Sequence, residues 1–229
     1  MSQPTPQDHA TDVPTLVDSS RVREMPTTAR GARTREALVA AARRVFERDG
    51  FINSRLTDIT TEAKCSIGSF YTYFDSKEEV FTAVIQAAQD DMLHPGLPHV
   101  DSDLSNVAAI LAASNRAYVE AYKRNAKLNL LLEQVATIDS EFRRLRVARG
   151  AAFAERNARW IKRLQDEGYA DPSLDPYMTA RALSPMLGRM AYHAFALEDD
   201  GLDEEAIVET ATTVWLNALG IPRDGSKRA

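Results

Sequence analysis

The sequence lacks the features that mark secreted, membrane and metal-binding proteins. Cys65 is the only cysteine among 229 residues, so no disulfide can form within the chain. No apolar run approaches the roughly 20 residues that span a bilayer, and no apolar segment near the N-terminus is typical of a secretory signal. The four histidines show no metal-ligand spacing. We therefore expect a cytoplasmic protein with no membrane contact and no bound metal.

Catalytic motifs are missing as well. The sequence contains no GxSxG, no Walker loop and no GxGxxG, and neighbouring positions supply no set of nucleophile, base and oxyanion donor. Cys65 is expected to behave as a small buried hydrophobe rather than as a redox sensor. The chain is accordingly not expected to be an enzyme or to carry a cofactor.

The charge of the chain is unevenly distributed. Its formal value is −5, from 28 basic and 33 acidic residues, which by itself argues against a nucleic-acid partner. Basic residues are nevertheless concentrated near the N-terminus, at Arg21, Arg23, Arg30, Arg33, Arg35, Arg43, Arg44 and Arg48. This concentration fits contact with DNA, although a charged helix face is more often simply solvated.

The pattern of apolar residues is typical of an all-α protein. Ala, Leu, Glu and Arg are frequent, and apolar residues recur at helical spacing rather than alternating. Capping residues, glycines and prolines predict nine helices, at about 34–49, 54–64, 67–74, 76–92, 103–124, 126–138, 140–167, 175–198 and 203–219. The predicted organisation is a disordered arm (1–29), a three-helix unit (30–75), a larger helical body (76–221) and a flexible tail (222–229).

The second and third predicted helices form the most informative unit. The turn between them is short, which makes the helices cross steeply in a helix-turn-helix arrangement. Phe70 and Phe74 lie at i and i+4 and are expected in the core. The outward face then consists of Ile67, Gly68, Tyr71 and Thr72, which fit base edges in a major groove. The expected phosphate contacts are Arg55, Tyr71, Tyr73 and Lys77. On geometry alone, a purely structural three-helix layer remains an alternative.

Residues 59–81, ITTEAKCSIGSFYTYFDSKEEVF, resemble the signature of the TetR family of transcriptional regulators. The likeness extends over about 45 residues and includes Phe46 and Gly50 of the first helix. It implies an N-terminal helix-turn-helix DNA-binding unit followed by a C-terminal body for ligand binding and dimerisation.

Three positions depart from the family pattern. Thr60 stands where Ala is usual, Lys64 stands where the turn usually has Gly, and Arg55 stands where a capping Thr is common. Lys64 is compatible with the turn if its backbone adopts a left-handed conformation. Ser54 is expected to replace Arg55 as the cap of the second helix.

The resemblance also implies roles for individual residues of the DNA-binding unit. Tyr71, Tyr73 and Lys77 would contact phosphates. The residues implied to face bases are Thr57, Ile67, Gly68, Ser69 and Thr72. The basic arm, with Arg21, Arg23 and Arg30, either reaches a minor groove or makes no contact.

In the larger body, the resemblance implies an apolar ligand cavity and a dimer formed by the last two helices. The predicted cavity residues are Asn115, Glu133, Arg156, Trp160 and His193. The predicted dimer-interface residues are Met186, Met190, Ala194, Val208, Thr212 and Trp215. For most aromatic and methionine residues of the body, simple core packing is the competing interpretation.

The resemblance predicts a repressor that binds a palindromic operator in double-stranded DNA as a homodimer. A small, largely apolar effector would release it from the operator. Two alternatives stay open at this point. One is a helical carrier or enzyme that does not bind DNA, and the other is an effector-independent activator or nucleoid-type DNA binder.

Overall fold

Helices make up nearly all of the chain that the structure describes. The structure is a computed structural model, and it describes residues 26–93, 104–198, 201–223 and 226–227. The nine α-helices in this part of the chain are α1 (Ala29–Asn53), α2 (Leu56–Glu62), α3 (Ile67–Tyr73), α4 (Lys77–Leu93), α5 (Val107–Arg124), α6 (Ala126–Ile138), α7 (Ser140–Asp166), α8 (Pro176–Ala191) and α9 (Glu204–Leu219). A π-helical segment, Tyr192–Ala196, extends α8. The all-α fold is thus confirmed.

Helix α1 begins five residues earlier than the predicted start at Thr34. The Thr28 side chain caps it by accepting a hydrogen bond from the backbone N–H of Gly31 at 3.1 Å. A Cβ at Gly31 would lie 2.8 Å from the Cβ of Pro26, so only glycine fits under the proline. Arg30, assigned to the arm by sequence, therefore lies in a helix. Arg21 and Arg23 fall outside the described residues.

Lys64 lies in the turn between α2 and α3. Its backbone adopts the left-handed conformation that makes lysine compatible with this turn. Its φ is 53°, and the N–H of Cys65 donates to the carbonyl of Thr60 at 3.0 Å. Ser66 then caps α3 by accepting a hydrogen bond from the N–H of Ser69 at 3.1 Å. A left-handed φ brings Cβ close to the following carbonyl, so Lys64 holds local strain.

We expect Lys64→Gly to stabilise the protein modestly. A left-handed residue with a Cβ costs about 1–2 kcal/mol, and part of this is offset by the greater freedom of glycine in the unfolded chain. The free energy of unfolding should rise by up to about 1 kcal/mol in urea titrations. Lys64→Ala is the control, because alanine keeps the strained Cβ. An equal increase in both variants would show that backbone strain is not the cause.

The main core is continuous from the N-terminal helices into the larger body. Phe46 of α1 and Phe70 of α3 share one cluster with residues of α4, α6 and α7. The largest side chains of this cluster are Leu38, Phe46, Ile59, Phe70, Phe74, Phe81, Ile85, Leu128, Leu132 and Phe142. Packing does not break at the predicted domain boundary between residues 75 and 76, since α4 contributes to the same core. A second cluster, containing Trp160 and Trp215, lies among α5, α7, α8 and α9.

Candidate DNA-binding surface and internal cavity

Helix α3 has one buried and one exposed face. Phe70 and Phe74 are 0% and 1% exposed and pack with Leu38, Phe46 and Ile59, as predicted. On the other face, the predicted residues Ile67, Gly68, Tyr71 and Thr72 are exposed. Ile67 is 44% exposed and Tyr71 48%, which is high for side chains of their size. Ser69, implied to face bases, is half-buried at the edge of this face. The exposed face thus presents the apolar side chain of Ile67, the backbone at Gly68, and the hydroxyls of Tyr71 and Thr72.

The start of α2 lies open to solvent beside this face. Arg55 and Thr57 are both exposed. The expected cap by Ser54 is wrong, because its hydroxyl is buried and donates to the carbonyl of Phe51 at 2.8 Å. Instead, the Asp58 carboxylate accepts from the N–H of Arg55 at 3.0 Å. Ser54 faces the core because α1 ends directly at that residue.

Lys77 does not point freely into solvent as a phosphate contact would. Its ammonium donates to the carbonyl oxygens of Phe51 at 2.7 Å, Ser54 at 3.0 Å and Ile52 at 3.4 Å. It also lies 4.6 Å from the centre of the Phe51 ring. These carbonyls belong to the end of α1, where helix geometry leaves them without partners. In this structure Lys77 therefore joins α4 to the end of α1. A phosphate contact would require one of these bonds to be given up.

We expect Lys77→Met to lower the free energy of unfolding by about 1–3 kcal/mol, because partly buried carbonyls lose a charged donor. Urea denaturation measures this. The control is Lys162→Met on α7, where the lysine only pairs with Asp166 at the surface and should contribute little. If Lys77→Met kept full stability while DNA affinity fell, the residue would act on phosphate alone.

Tyr73 and Arg35 complete the surroundings of α3. Tyr73 is half-buried against the main core, so it is less available than Tyr71. The guanidinium of Arg35 lies 5.1 Å from the centre of the Phe74 ring, which places a cation of α1 beside the end of α3. Arg35 is one of the basic residues concentrated near the N-terminus, and its sequence position predicts no contact with Phe74. Only tertiary packing brings the two residues together.

A cavity of about 560 Å³ lies within the larger body. Its lining comes mainly from α5, α6, α7 and α8. Four of the five predicted residues, Asn115, Glu133, Arg156 and Trp160, line it. The fifth, His193, is not among the lining residues, because it lies in the π-helical segment and packs edge-on against Tyr192. Further lining residues that sequence analysis missed include Leu111, Tyr118, Tyr122, Leu132, Arg149, Phe153, Leu187 and Trp215.

The buried polar groups of the cavity are strongly affected by their surroundings. Burial raises the pKa of Tyr118, so its hydroxyl stays protonated and available as a donor. Burial lowers the pKa of Arg156 to about 10, because the low dielectric disfavours its charged form. The indole N–H of Trp215 is buried and has no hydrogen-bond partner among the residues that the structure describes. The cavity thus combines apolar walls with a few polar groups.

Two of the residues predicted for the dimer interface are buried within a single chain. Val208 and Trp215 are 2% and 4% exposed within a single chain, where they pack against α5 and α7. Thr212 also makes a contact within the same chain, since its hydroxyl accepts a hydrogen bond from the Asn115 side chain at 3.0 Å. Met186, Met190 and Ala194 are half-buried against the same clusters. The reason is that α9 presents its most apolar stripe to α5, and therefore its smaller residues face outward.

Comparison with known proteins now identifies the family. A family model for bacterial regulatory proteins of the tetR family matches residues 38–84, which contain the α2–turn–α3 unit and its core partners. A second model, for the C-terminal domain of the transcriptional regulator EthR, matches residues 111–220, which contain most of the cavity. The chain belongs to the TetR family of transcriptional regulators. It is thus a helix-turn-helix protein whose activity is the regulation of transcription.

Individual TetR-family relatives are distant. The HTH-type transcriptional regulator EthR of Mycolicibacterium smegmatis is 26% identical over 194 residues, covering 80% of this chain and 84% of EthR. An HTH-type transcriptional regulator of Lactococcus lactis is 30% identical over 117 residues, covering 48% of this chain and 59% of that protein. The structure of SmeT, the repressor of a Stenotrophomonas maltophilia multidrug efflux pump, superposes with a TM-score of 0.68 at 20% identity, over 84% of this chain and 92% of SmeT. At that identity, SmeT shares the fold.

Two kinds of feature are absent from the described ranges of this TetR-type structure. No helix there has both the length and the apolar character needed to cross a bilayer. No group of three or more His, Cys, Asp and Glu side chains there is placed to hold a metal ion.

Proposed function

We propose that this TetR-family protein is a ligand-responsive repressor that binds a palindromic operator as a homodimer and is released by a small effector in its cavity. The observation that carries the proposal is the division of α3 into a fully buried face and an exposed face. Ile67 and Tyr71 are exposed one turn apart on this second face, and neighbouring exposed apolar side chains are typical of interaction surfaces. Base edges and phosphates in a major groove match their chemistry.

The proposed roles follow the exposure of each side chain. Ile67, Gly68 and Thr72 would meet base edges, and Tyr71 would contact phosphate. Arg55 and Thr57 would join them from the start of α2, and Tyr73, Ser69 and Lys77 would act at the rim. The operator lies on the chromosome, so the protein would work in the cytoplasm. The proposal requires no catalytic step, cofactor or metal.

The dimer would use the outward faces of α8 and α9. Met178 and Ala182 of α8 are exposed, and on α9 Ala206, Thr210 and Thr213 follow one another at helical spacing without being buried in the chain. Small residues in such a stripe let two helices approach closely, and a two-fold axis would make the contact self-complementary. Two α3 helices related by this axis would read an inverted repeat with half-sites one helical turn apart.

Helix α4 would carry the signal between cavity and DNA. At its C-terminal end, Met92 lies against cavity residues, since Arg149 donates to its sulfur at 3.1 Å and to the Asn129 side chain at 2.6 Å. The preceding residue, Asp91, accepts from Arg124 at 2.9 Å and from Asn125 at 2.8 Å.

The contacts of Asp91 extend to the DNA-binding unit. Arg43 of α1 donates to the carbonyl of Arg124 at 2.8 Å, which joins α1 to the corner between α5 and α6. Arg124 holds the pKa of Asp91 below its usual value, so the carboxylate stays ionised at neutral pH. A ligand that moves the end of α4 would therefore shift the two α3 helices. A difference of a few kcal/mol between the two states is enough for release.

Selection of bound fragments from a random DNA pool tests the proposal. We expect enrichment of one inverted repeat, bound by a dimer, with an affinity that falls linearly with salt concentration on logarithmic axes. Diffuse coverage without an inverted repeat would favour a nucleoid-type binder. A failure to bind any duplex would leave a carrier or enzyme with a helical cavity.

A further inference from the structure

We propose that the cavity binds an organic anion with an apolar body, such as a carboxylate or sulfonate, whose acid group pairs with Arg149. The inference rests on the proposed function, in which the cavity is the effector site, and it narrows the class of effector. The sequence predicted only a largely apolar molecule.

The charge of the cavity lining is the first observation. Five arginines line it, Arg146, Arg149, Arg156, Arg181 and Arg189, against the single carboxylate of Glu133. Basic side chains thus predominate in this lining, with Arg146, Arg181 and Arg189 at its solvent-exposed part, although the whole chain carries a formal charge of −5. Glu133 is already engaged, because Arg146 donates to it at 2.6 Å. A cationic ligand would meet repulsion here, whereas an anion would be attracted.

The partners of Arg149 are the second observation. Its guanidinium donates to the amide oxygen of Asn129 and to the thioether of Met92, which is fully buried. Both partners are neutral, and sulfur is a weak acceptor. Within the described ranges no carboxylate forms an ion pair with Arg149. A ligand acid group would offer two strong acceptor oxygens that match the guanidinium fork.

The surroundings of Arg156 also favour an anionic ligand. This arginine has a lowered pKa because burial disfavours its charge. An anion beside it would restore the stability of the charged form. Arg149 and Arg156 both lie on α7 and both line the cavity.

The remaining lining suits an apolar body of moderate size. Leu111, Leu132, Phe153 and Leu187 supply apolar walls, and the indole N–H of Trp215 offers one further donor. The volume of about 560 Å³ falls within the range of small-molecule sites, roughly 300–1,000 Å³. The ligand is thus expected to bury its apolar part here while its acid group lies near α7.

A matched pair of fluorescent probes tests the inference on the full-length protein without DNA. The anion is 1-anilinonaphthalene-8-sulfonate, and the neutral probe is N-phenyl-1-naphthylamine, which has the same aromatic skeleton without the sulfonate. We expect the anion to bind at least about tenfold more tightly than the neutral probe. Arg149→Gln should abolish this preference and leave the affinity for the neutral probe unchanged, while Arg149→Lys should restore part of it.

Arg144→Gln is the control for net charge, because Arg144 is exposed on α7 and does not line the cavity. It should keep the full preference. Equal binding of both probes, or a preference that survives Arg149→Gln, would overturn the inference. An unchanged affinity for the neutral probe also shows that the Arg149 variant is folded.

The two proposals fail in distinguishable ways. If only the neutral probe binds and it still displaces the protein from its operator, effector control stands and the anionic class is wrong. If neither probe binds, the anionic inference fails, whereas the proposed function fails only if the selection experiment yields no bound duplex.

Discussion

Phe70→Ala is expected to lower the free energy of unfolding by about 3–5 kcal/mol, because a fully buried phenyl ring leaves a cavity that its neighbours cannot fill. The ring lies 5.7 Å from that of Phe74 and packs in the cluster of Leu38, Phe46 and Ile59. Domains of this kind are stable by about 5–15 kcal/mol, so the variant would lose a large fraction of its stability. Urea titration followed by far-UV circular dichroism measures the loss.

The same titration also tests whether the two parts of the chain unfold together. Both tryptophans, Trp160 and Trp215, lie in the second cluster, remote from Phe70. Because the main core runs through α4 into α6 and α7, tryptophan fluorescence should shift to lower urea along with circular dichroism. A shift in circular dichroism alone would mean that the three-helix unit at 30–75 unfolds independently. A loss below about 1 kcal/mol would contradict the assignment of Phe70 to the core.

Tyr71→Ala is expected to weaken operator binding by about 10- to 100-fold while the dimer stays folded. A hydrogen bond to a charged phosphate contributes about 1.5–3 kcal/mol, which corresponds to this change in affinity. The side chain is 48% exposed, so its removal should cost little stability. Fluorescence anisotropy with the selected operator measures the affinity.

The salt dependence makes the Tyr71 experiment sharper. Tyrosine carries no charge, so Tyr71→Ala should reduce affinity at every salt concentration without changing the slope. The matched control is Tyr177→Ala on α8, where a tyrosine is 41% exposed but lies outside the DNA-binding unit. Unchanged operator affinity of Tyr71→Ala would refute its role. Phe70 and Tyr71 are neighbours on one helix turn. Because Phe70→Ala is expected to lower stability and Tyr71→Ala to lower operator affinity, the two variants together test the buried and the exposed face of α3.

Local sequence patterns were sufficient to predict the helices and the DNA-binding unit. The cap of α3 by Ser66 and the non-helical Gly50 within α1 follow from the conformational preferences of single residues, whereas the left-handed Lys64 is imposed by the turn. The inward direction of Phe70 and Phe74 follows from helical periodicity. The most local features of the candidate site were therefore the most predictable.

The sequence by itself thus determined the order of the helices and which face of α3 is exposed. Tertiary structure alone decided which stripe of α9 packs inside, where Val208 and Trp215 are buried, and it placed Lys77 on the end of α1. It also put Arg149 into the cavity and left His193 out. The physical reason is that a helix with several apolar stripes has no unique inward face until its neighbours pack against it.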